Sequence, residues 1–502
     1  MQNPEIVLGI IESNTKKPSY VFSKLYRNFY NLAFYKMAYN KLYAQQRKRK
    51  YGADDKKRNK LDFTVIQTNI LSMKNETYKP VPFAKKEKRD GKNMADYLNQ
   101  YDTLVVEIVK SMLEAIYKPT FSKLAHPFQP KKHSHDALIQ VKTSFVDTKW
   151  WIKGKLHSPQ ESKHYHVLVS ILRKKIKDEK FIRLIWKLLK AGYWNEKYLL
   201  FKPGERKYRN ALYAIFNEIY YHELDRKMQD IIYSLSLVSL SNKKIERNAS
   251  VAKISNVPSK EGKTKYVRYG NDFLVGVVGS KKDAQMWREA MTQYIKEALK
   301  LELTEEAISI INQKEKVRFL EYDLFLSTRT KKRQFAFHDG MHQDELQKEQ
   351  TSVVKLSLPH DQLRKFIIGN GYAKDTGKGH WKAIHRSAIL NKEPLEIVRC
   401  FNAELTKFYR YYGLADDVKQ KLQNVYVLWL QSFTKTLAGK YRTKTSKLKE
   451  MEMEAYGNKY KRFFQHGDWG VSYERHGQIC FERLCHYSDI SPVNKNRESS
   501  IR

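Results

Sequence analysis

The stretch KYVRYGNDFLVGVVG at residues 265–279 is the first place where the sequence could perform metal-dependent chemistry. Residues before Gly270 alternate and favour a strand, Gly270 and Asn271 supply a tight turn, and Phe273 to Val278 is a second β-rich apolar run. The stretch therefore predicts a β-hairpin. Asp272 stands at its turn beside the Asn271 amide, whereas hairpins that bind catalytic metal ions carry paired acids at the tip. This pattern is typical of a metal site from which half of the acid pair is missing.

A second candidate for metal binding lies near the C-terminus. Cys480, Cys485 and His486 have the spacing of half a zinc site, but no second ligand pair follows them. We therefore predict that this cluster binds no zinc. With only Cys400 in addition, the cysteines cannot form a disulfide framework, which indicates a reducing compartment.

The composition indicates a polyanionic partner. The chain has 502 residues, and 94 Lys and Arg against 54 acids give a net charge of +40. The excess is spread along the chain, together with 33 Tyr and 23 Phe. Such a chain can neutralise phosphates and stack on bases, so nucleic-acid binding is favoured over a merely soluble basic protein. Charge alone leaves RNA and DNA as alternatives.

The N-terminus and the hydropathy pattern predict the location of the protein. The first residues, MQNPEIVLGIIESNTKKP, contain too short an apolar run for a signal peptide and too many acids for a typical transit peptide. No stretch approaches the length of a transmembrane span. We therefore expect a soluble intracellular protein without a membrane partner, in the bacterial cytoplasm, with an organelle matrix as the alternative.

Apolar periodicity predicts helices in several segments: 19–50, 104–117, 181–193, 283–303, 395–413 and 416–441. The polar, Lys-rich stretch 241–265 is predicted to be a loop or an insertion, and 317–327 is predicted to be a strand. Strand patterns fade from about residue 331. We therefore expect an α+β body followed by a helical, basic C-terminal part.

Several sequence blocks, in this order, resemble the group II intron-encoded proteins, the family of reverse transcriptase-maturases. The resemblance covers about residues 1–460 and includes LYRNFYNLAFYKMAYNKLYA, FIRLIWKLLKAGY, VRYGNDFLVGVVGSKKDA and YYGLADD. The block QSFTKTLAGKYRTKTSKLKEMEMEAYG resembles the maturase domain of this family, called domain X, which is its most diagnostic part. Agreement of independent blocks in order makes the assignment stronger than any single motif.

The resemblance implies an α+β fold with reverse transcriptase-like fingers and palm of the right-hand type and an antiparallel palm sheet, followed by an α-helical thumb and maturase domain X. The fingers and palm would comprise residues 1–330, with an N-terminal RNA-binding extension at 1–60. The thumb would comprise 331–412 and domain X 413–465. Residues 466–502 would form a short tail in place of the DNA-binding and endonuclease region of the family.

The departures from the family pattern fall on its catalytic positions. In WWIKGKLHS, Lys155 stands where the family has a catalytic Asp, and the family's Tyr-Ala-Asp-Asp motif becomes Tyr269, Gly270, Asn271 and Asp272. Segments that the resemblance associates with nucleotide or template binding also differ: Gln160–Glu161, Asn93–Asp96 and Glu205–Asn210.

These changes predict that polymerase chemistry is lost. Nucleotide addition requires divalent ions held by carboxylates, and Mg²⁺ prefers charged oxygen ligands. Lys155 places a cation there, and reversing one unit charge at ~4 Å is worth about 4 kcal/mol at an effective dielectric constant near 20. Glu161 or Asp283 could be imagined as substitute ligands, but neither stands at a family motif position. We therefore expect no catalytic residues, no metal site and no cofactor, with Mg²⁺ only on the bound RNA.

Basic side chains in two regions are the candidate RNA contacts. The first set lies in the N-terminal extension: Lys24, Arg27, Lys41, Arg47, Lys48, Arg49 and Lys50. The second set lies in the region that resembles domain X: Lys435, Lys440, Arg442, Lys444, Lys447 and Lys449. We predict that the second set surrounds a helix end and the start of a further helix with Thr445 or Ser446 as N-cap, a geometry that favours phosphate. The alternative is a solvated helix face.

The hypothesis that follows is a maturase that binds group II intron RNA and stabilises its splicing-competent fold, with reverse transcriptase activity lost. The protein itself would then be no enzyme, and the intron RNA would be the catalyst. One alternative is an RNA-binding scaffold subunit of another ribonucleoprotein, since a fold does not determine a function. Another is an active RNA-directed DNA polymerase with relocated metal ligands. Target DNA, reached through the ribonucleoprotein, is a further candidate partner, and the sequence does not indicate an oligomeric state.

Overall fold

The computed structural model describes most of the chain: residues 2–17, 19–47, 63–82, 94–122, 125–126, 134–159, 161–195, 211–242, 264–333, 347–377, 379–455, 459–475 and 478–490. The chain divides into two compact units. The first comprises residues 1–141 and 147–312, and the second comprises 142–146 and 313–502.

Up to residue 312 the structure is a mixture of long helices and short strands. The helices are α1 (Pro4–Thr15), α2 (Leu32–Arg47), α3 (Phe63–Lys74), α4 (Met94–Tyr117), α5 (Ser134–Ser144), α6 (Ser162–Arg173), α7 (Glu179–Lys190), α8 (Ala211–Asn242) and α9 (Lys281–Glu297). The strands are β1 (Ala125–His126), β2 (Trp150–Lys155), β3 (Lys265–Tyr269), β4 (Asp272–Val277) and β5 (Ile308–Asn312).

Within the described ranges these strands form one sheet of order β1-β3-β4-β2-β5. β1 is parallel to β3, and the other neighbours are antiparallel. The predicted hairpin is confirmed: β3 and β4 pair through a two-residue turn in which Gly270 has φ +60°, a value that glycine adopts at little cost. One face of the sheet contributes side chains such as Tyr266, Phe273 and Val275 to the core formed with the helices.

The helix predicted over 181–193 is also confirmed, as α7, and its boundaries have local causes. The Asp178 carboxylate accepts a hydrogen bond from the Phe181 N–H at 3.1 Å and so caps the first turn. Its other oxygen accepts from the Tyr26 N–H at 2.8 Å, which ties the N-terminal segment to this helix. The helix ends at Lys190, and Gly192 has φ +89°, as expected just beyond a helix C-terminus.

The second unit contains helices and several small sheets. Its helices are α10 (His360–Gly369), α11 (Pro394–Tyr412) and α12 (Val418–Lys440). Its strands are β6 (Val317–Phe319), β7 (Tyr322–Arg333), β8 (Gln347–Ser357), β9 (Ala373–Asp375), β10 (Trp381–Ala383), β11 (Glu452–Ala455), β12 (Lys459–Arg462), β13 (Phe464–Gln465), β14 (Asp468–Arg475) and β15 (Gln478–Arg483). The α+β class is therefore present, with strands in both units.

Two expectations about this unit are wrong. Segment 317–327 is a hairpin, β6 and β7, rather than one strand, because Leu320 and Glu321 turn the chain with φ of +46° and +60°. No Gly or Asn indicates that turn in the sequence. The C-terminal part is not wholly helical either, because β8 pairs with β7 along its length and β14 pairs with β15. Such partly exposed strands carry many charged residues, so they lack the apolar run that predicts a strand.

The domain boundaries proposed from the sequence stay predictions. A boundary after residue 330 would cut β7, and the segment proposed as a tail includes β14 and β15. Of the predicted loop at 241–265, residues 243–263 lie outside the described part of the chain. No helix among the described residues is both long enough and apolar enough to cross a bilayer.

Candidate functional site

The structure brings Lys155, Asn271 and Asp272 together at one end of the sheet. Lys155 is the last residue of β2 and Asp272 the first of β4, and the two are direct cross-strand partners. The Leu156 N–H donates to the Asn271 carbonyl oxygen at 2.8 Å, and the Asn271 side-chain amide donates to the Leu156 carbonyl oxygen at 3.2 Å. The three positions singled out from the sequence therefore form one local site.

The charges at this site differ from those of a two-metal centre. Directly opposed residues on one face of an antiparallel pair have Cβ atoms about 4.5–5.5 Å apart, so the Lys155 ammonium belongs to the same surface as the Asp272 carboxylate. The Asn271 amide is neutral and donates to backbone, so it adds no negative charge. In the part of the chain that the structure describes, no three His, Cys, Asp or Glu residues are grouped so that they could hold a metal ion.

The residue before Lys155 shows how closely β2 and β4 pack. A Cβ atom added to Gly154 would lie 2.0 Å from Cζ of Phe273, its cross-strand partner. The Phe273 ring therefore occupies the space over the glycine, and a larger residue at 154 would displace it from the core. This packing preserves the strand geometry of the site independently of the charges at its end.

Behind the hairpin lies a buried charge network that the sequence analysis did not identify. Arg268, on β3, is 1% exposed, and its guanidinium donates to Asp225 Oδ1 at 2.8 Å and Oδ2 at 2.6 Å. It also donates to Glu218 Oε2 at 3.0 Å and to the Gly270 carbonyl oxygen at 2.6 Å. The Tyr266 hydroxyl donates to Asp225 Oδ1 at 2.8 Å. This network connects α8 to the turn that presents the site.

Burial raises the pKa of the Asp225 and Glu218 carboxyls, whereas the Arg268 guanidinium lowers it. Burial opposes ionisation of Asp225, but the attraction and hydrogen bonds of Arg268 prevail and lower its pKa to about 2. Burial dominates at Glu218, which has weaker contacts with Arg268, and raises its pKa. The pKa of Arg268 is raised well above its ordinary value, against the effect of burial, by Asp225 and then Glu218. Arg268 therefore remains charged, and Asp225 is its principal counter-ion.

The described residues include some of the other positions that the family resemblance associates with nucleotide or template binding, and both acids considered as substitute metal ligands. Glu161 is the N-cap of α6, its carboxylate forms an ion pair with Lys163 at 2.9 Å, and Asp283 caps α9 by accepting from the Ser280 N–H at 2.7 Å. Both acids considered as substitute ligands thus have capping contacts. Gln160, Asn93 and Glu205–Asn210 lie outside the described residues, and Met94–Asp96 begin α4.

The N-terminal basic set is spread over two short elements. Lys24 and Arg27 are exposed near the 3₁₀ helix Tyr26–Tyr30, and the exposed Lys41 on α2 donates to Ser111 Oγ at 3.1 Å. Arg47 ends α2. The remaining members lie outside the described residues: Lys48, Arg49 and Lys50. Among the described residues, no side-chain hydrogen bond or ion pair holds the exposed Lys24 and Arg27.

Members of the second basic set differ in what their side chains contact. Lys435 Nζ donates to the Ala383 carbonyl oxygen at 2.7 Å, and Lys440 Nζ donates to the Leu390 carbonyl oxygen at 3.2 Å. Lys449 Nζ lies 5.0 Å from the centre of the Phe464 ring. These cations therefore also join α12 and its following segment to neighbouring backbone and rings. Arg442, Lys444 and Lys447 are exposed.

The helix predicted after this set is absent, which is a correction. Ser446 precedes only a three-residue 3₁₀ helix, Lys447–Lys449, and its side chain makes no capping hydrogen bond. Within this short helix, the Leu448 side chain is fully buried. A phosphate site at a helix N-terminus is therefore wrong here, because so short a helix has neither aligned amides nor a useful dipole.

A cavity of about 560 Å³ lies beside Lys435 and Thr445. Its lining includes Lys374, Lys382 and His385, which the sequence analysis did not select. These residues come from β9, β10 and the segment after β10, and all three precede α12 in the chain. Isolated lysines among many basic residues carry no local sequence signal.

The acids of the YYGLADD block have a structural role. Asp416 Oδ2 accepts from the Leu356 N–H and Asp417 Oδ1 from the Leu358 N–H, both at 2.9 Å. The Ser357 hydroxyl donates to Asp417 at 2.6 Å. The corner between α11 and α12 is thereby fixed to the end of β8.

Cys485 and His486, the C-terminal part of the possible half zinc site, have other contacts. The Cys485 N–H donates to Asn402 Oδ1 at 2.8 Å, and the His486 ring packs edge-to-face on Tyr426 with ring centres 4.5 Å apart. Cys480 lies on β15. That this cluster binds no zinc stays a prediction.

Comparison with known proteins finds similarity to a maturase family model and to intron-encoded proteins. Residues 351–466 match the family model described as type II intron maturase. The chain is 28% identical over 500 residues to the group II intron-encoded protein LtrA of Lactococcus lactis, covering 90% of this chain and 79% of that protein. It is 27% identical to an uncharacterised 91 kDa protein in the cob intron of Schizosaccharomyces pombe, a match that covers 83% of this chain and 54% of that protein. It is also 27% identical to a putative COX1/OXI3 intron 1 protein of Saccharomyces cerevisiae, a match that covers 69% of this chain and 44% of that protein.

Proposed function

We propose that this chain, a homologue of group II intron-encoded proteins that carries a type II intron maturase domain, is a maturase that binds group II intron RNA and stabilises its splicing-competent fold. We further assign the sheet of β1 to β5 to the palm of a reverse transcriptase-like fold. Its polymerase activity is lost in this proposal.

The observation that carries the loss of polymerase activity is the pairing of Lys155 with Asp272 across β2 and β4. A two-metal mechanism needs several carboxylates around the same point, since Mg²⁺ dehydrates reluctantly and takes hard anionic ligands. Among the described residues, the paired ends of β2 and β4 offer the Asp272 carboxylate, the opposed Lys155 ammonium and the Asn271 amide, which donates to backbone. The strand packing at Gly154 and the Arg268 network retain the hairpin as a scaffold.

RNA binding is supported by the net charge of +40 and by exposed cations in the maturase domain, Arg442, Lys444 and Lys447 among them. Lysine and arginine on a surface bind structured RNA mainly through phosphates and shape. A protein that prefers one RNA conformation shifts the population towards it in proportion to the difference in affinity. The intron RNA supplies the splicing chemistry and the protein needs no cofactor.

The test deletes charge in the maturase domain: Arg442→Gln, Lys444→Gln and Lys447→Gln together. Charge-assisted contacts are worth about 1 kcal/mol or more each, so three of them correspond to a loss of roughly 100-fold in affinity for intron RNA. Splicing stimulation should fall with affinity. Lys435 and Lys440 are left unchanged because both donate to backbone carbonyls and their removal could disturb the fold.

Two controls accompany this variant. The triple variant Lys365→Gln, Lys407→Gln and Lys419→Gln removes the same charge from exposed positions on α10, α11 and α12 within the same matched region, so it separates the effect of position from that of net charge. Asp272→Ala removes the remaining carboxylate while leaving the hairpin paired, and should change neither RNA binding nor splicing. If Asp272→Ala abolishes splicing stimulation while the maturase-domain variant retains it, the sheet end still performs chemistry and the proposal is wrong.

The two alternatives give different results in the same assays. A scaffold subunit of another ribonucleoprotein would bind RNA without preference for a group II intron, and the RNA that co-purifies with it would be of another class. An active RNA-directed DNA polymerase would extend a primer in Mg²⁺ or Mn²⁺.

A further inference from the structure

The cavity beside α12 contains an unfavourable pair of lysines. Lys374 on β9 and Lys382 on β10 are direct cross-strand partners, and both line the cavity. Their Cβ atoms are thus about 4.5–5.5 Å apart on one face, an arrangement in which like charges destabilise the strand pair. In the part of the chain that the structure describes, neither lysine forms an ion pair with a carboxylate.

The third lysine of the cavity is held in place by the fold. Lys435 Nζ donates to the Ala383 carbonyl oxygen at 2.7 Å, one residue beyond Lys382. Two further contacts attach α12 to the same segment: Ser432 Oγ donates to the Ile384 carbonyl oxygen at 2.7 Å, and the Arg386 N–H donates to Thr436 Oγ at 3.0 Å. An ammonium group has three donors, so Lys435 retains two for a ligand.

Groups that could oppose an anion in the cavity are engaged elsewhere. Asp375 follows Lys374, but on the opposite face of the strand, where it forms an ion pair with Arg364 at 3.1 Å and accepts from the Gly377 N–H at 3.0 Å. Near the end of α12, the Leu437 and Ala438 carbonyl oxygens accept from the Tyr441 and Thr443 N–H groups, both at 3.0 Å. Of the described residues that line the cavity, none is acidic.

We propose that this cavity binds consecutive phosphates of an RNA backbone, an inference that rests on the proposed function for the source of the phosphate. Three ammonium groups and His385 provide positive or donor groups, and the hydroxyls of Ser387, Thr443 and Thr445 add donors. No Phe, Tyr or Trp is among the described lining residues, so the site fits phosphate rather than a stacked base. Bound phosphate also relieves the repulsion between Lys374 and Lys382.

The experiment uses the full chain with Lys374→Gln and Lys382→Gln combined. Each lysine that neutralises a phosphate contributes about 0.7–0.9 to the slope of log affinity against log salt concentration. The double variant should therefore bind intron RNA at least ten-fold more weakly than the parent protein, with a slope that is smaller by about 1.4–1.8. The matched control, Lys365→Gln with Lys419→Gln, removes two exposed charges from the same unit and should lose less than three-fold.

A second arm uses inorganic pyrophosphate, which presents two linked phosphates without RNA. Pyrophosphate should raise the melting temperature of the parent protein and of the control, but not of the Lys374 and Lys382 variant. Without added anion and at low salt, that variant should melt no lower than the parent protein, because it has lost a repulsion and no structural contact. A marked drop in its melting temperature would show that the two lysines are structural and would overturn the proposal.

The arms separate this inference from the proposed function. If the parent protein binds intron RNA and the cavity variant loses no more affinity than its control, the cavity is not an RNA site, but the maturase proposal stands. If the parent protein fails to bind intron RNA while pyrophosphate stabilises it only when Lys374 and Lys382 are intact, the cavity is a phosphate site and the maturase proposal fails. If the cavity variant loses no more RNA affinity than its control and pyrophosphate does not stabilise the parent protein, the cavity inference is wrong.

Discussion

Replacing Arg268 by Met tests whether the buried network maintains the hairpin that carries Asn271 and Asp272. Methionine fills a similar length without charge and leaves Asp225 and Glu218, 0% and 3% exposed, without their counter-ion. It also removes the donor at 2.6 Å from the Gly270 carbonyl oxygen. Removing one partner of a buried ion pair costs about 3–5 kcal/mol. We therefore expect the free energy of unfolding at pH 7 to fall by about that amount.

The pH dependence of this loss has a definite sign. Burial already raises the pKa of Glu218, and without Arg268 we expect burial to raise the pKa of Asp225 as well, because the guanidinium is the strongest of the groups that lower that pKa. A carboxyl whose pKa is higher in the folded state loses stability as the pH rises through that pKa. The variant should therefore be closest to the parent protein at acidic pH and furthest from it at pH 7.

The assay is urea-induced unfolding of parent and variant between pH 5 and pH 7. Arg183→Met, in an exposed ion pair with Glu76, is the control for loss of an arginine and should hardly change the unfolding midpoint. In a background of Glu218→Gln and Asp225→Asn, the Arg268→Met substitution should be neutral or stabilising, because the guanidinium then lacks its counter-charges. A loss below about 1 kcal/mol, or one that is independent of pH, would refute this account of the network.

Three other outcomes are expected. Affinity for intron RNA, measured from low to high salt, should fall with a log–log slope of about −0.7 to −0.9 per neutralised phosphate, and a flat dependence would argue against phosphate-dominated binding. The double variant Lys155→Asp, Asn271→Asp should remain inactive in a primer-extension assay, since the departures at 93–96 and 205–210 persist, and measurable DNA synthesis would show that those segments suffice. Asp225→Asn should lower the unfolding free energy at pH 7 but not near pH 2. The pKa of Asp225 is lowered to about 2, so its ionised carboxylate stabilises the folded protein above the unfolded pKa, near 4, and this stabilisation is lost as the pH falls from 4 to 2. A difference in unfolding free energy that persists at pH 2 would contradict this.

Local patterns in the sequence determined a large part of the site. Alternation and the Gly270–Asn271 turn predict the β3–β4 hairpin, because strand geometry and a two-residue turn depend on neighbouring residues. Apolar periodicity predicts α7, α11 and α12 for the same reason. The resemblance to a family singled out Lys155 and Asp272 as catalytic positions, and the sheet register makes these two residues cross-strand partners.

Only the tertiary structure decided which charges come together. Arg268 meets Glu218 and Asp225 from more than 40 positions away in the chain, and no local pattern distinguishes this buried arginine from the many exposed ones. The Leu320–Glu321 turn also lacks the residues that indicate positive φ, since pairing of β6 with β7 enforces it.

The cavity of Lys374, Lys382 and Lys435 has the same origin. β9 and β10 place two lysines opposite each other, and α12 adds the third across about 50 residues of chain. Local sequence encodes backbone conformation through short-range sterics and periodicity, whereas a cluster of like charges exists only after distant segments pack. The sequence alone therefore determined that the protein is strongly basic, and packing decided where that charge forms a site.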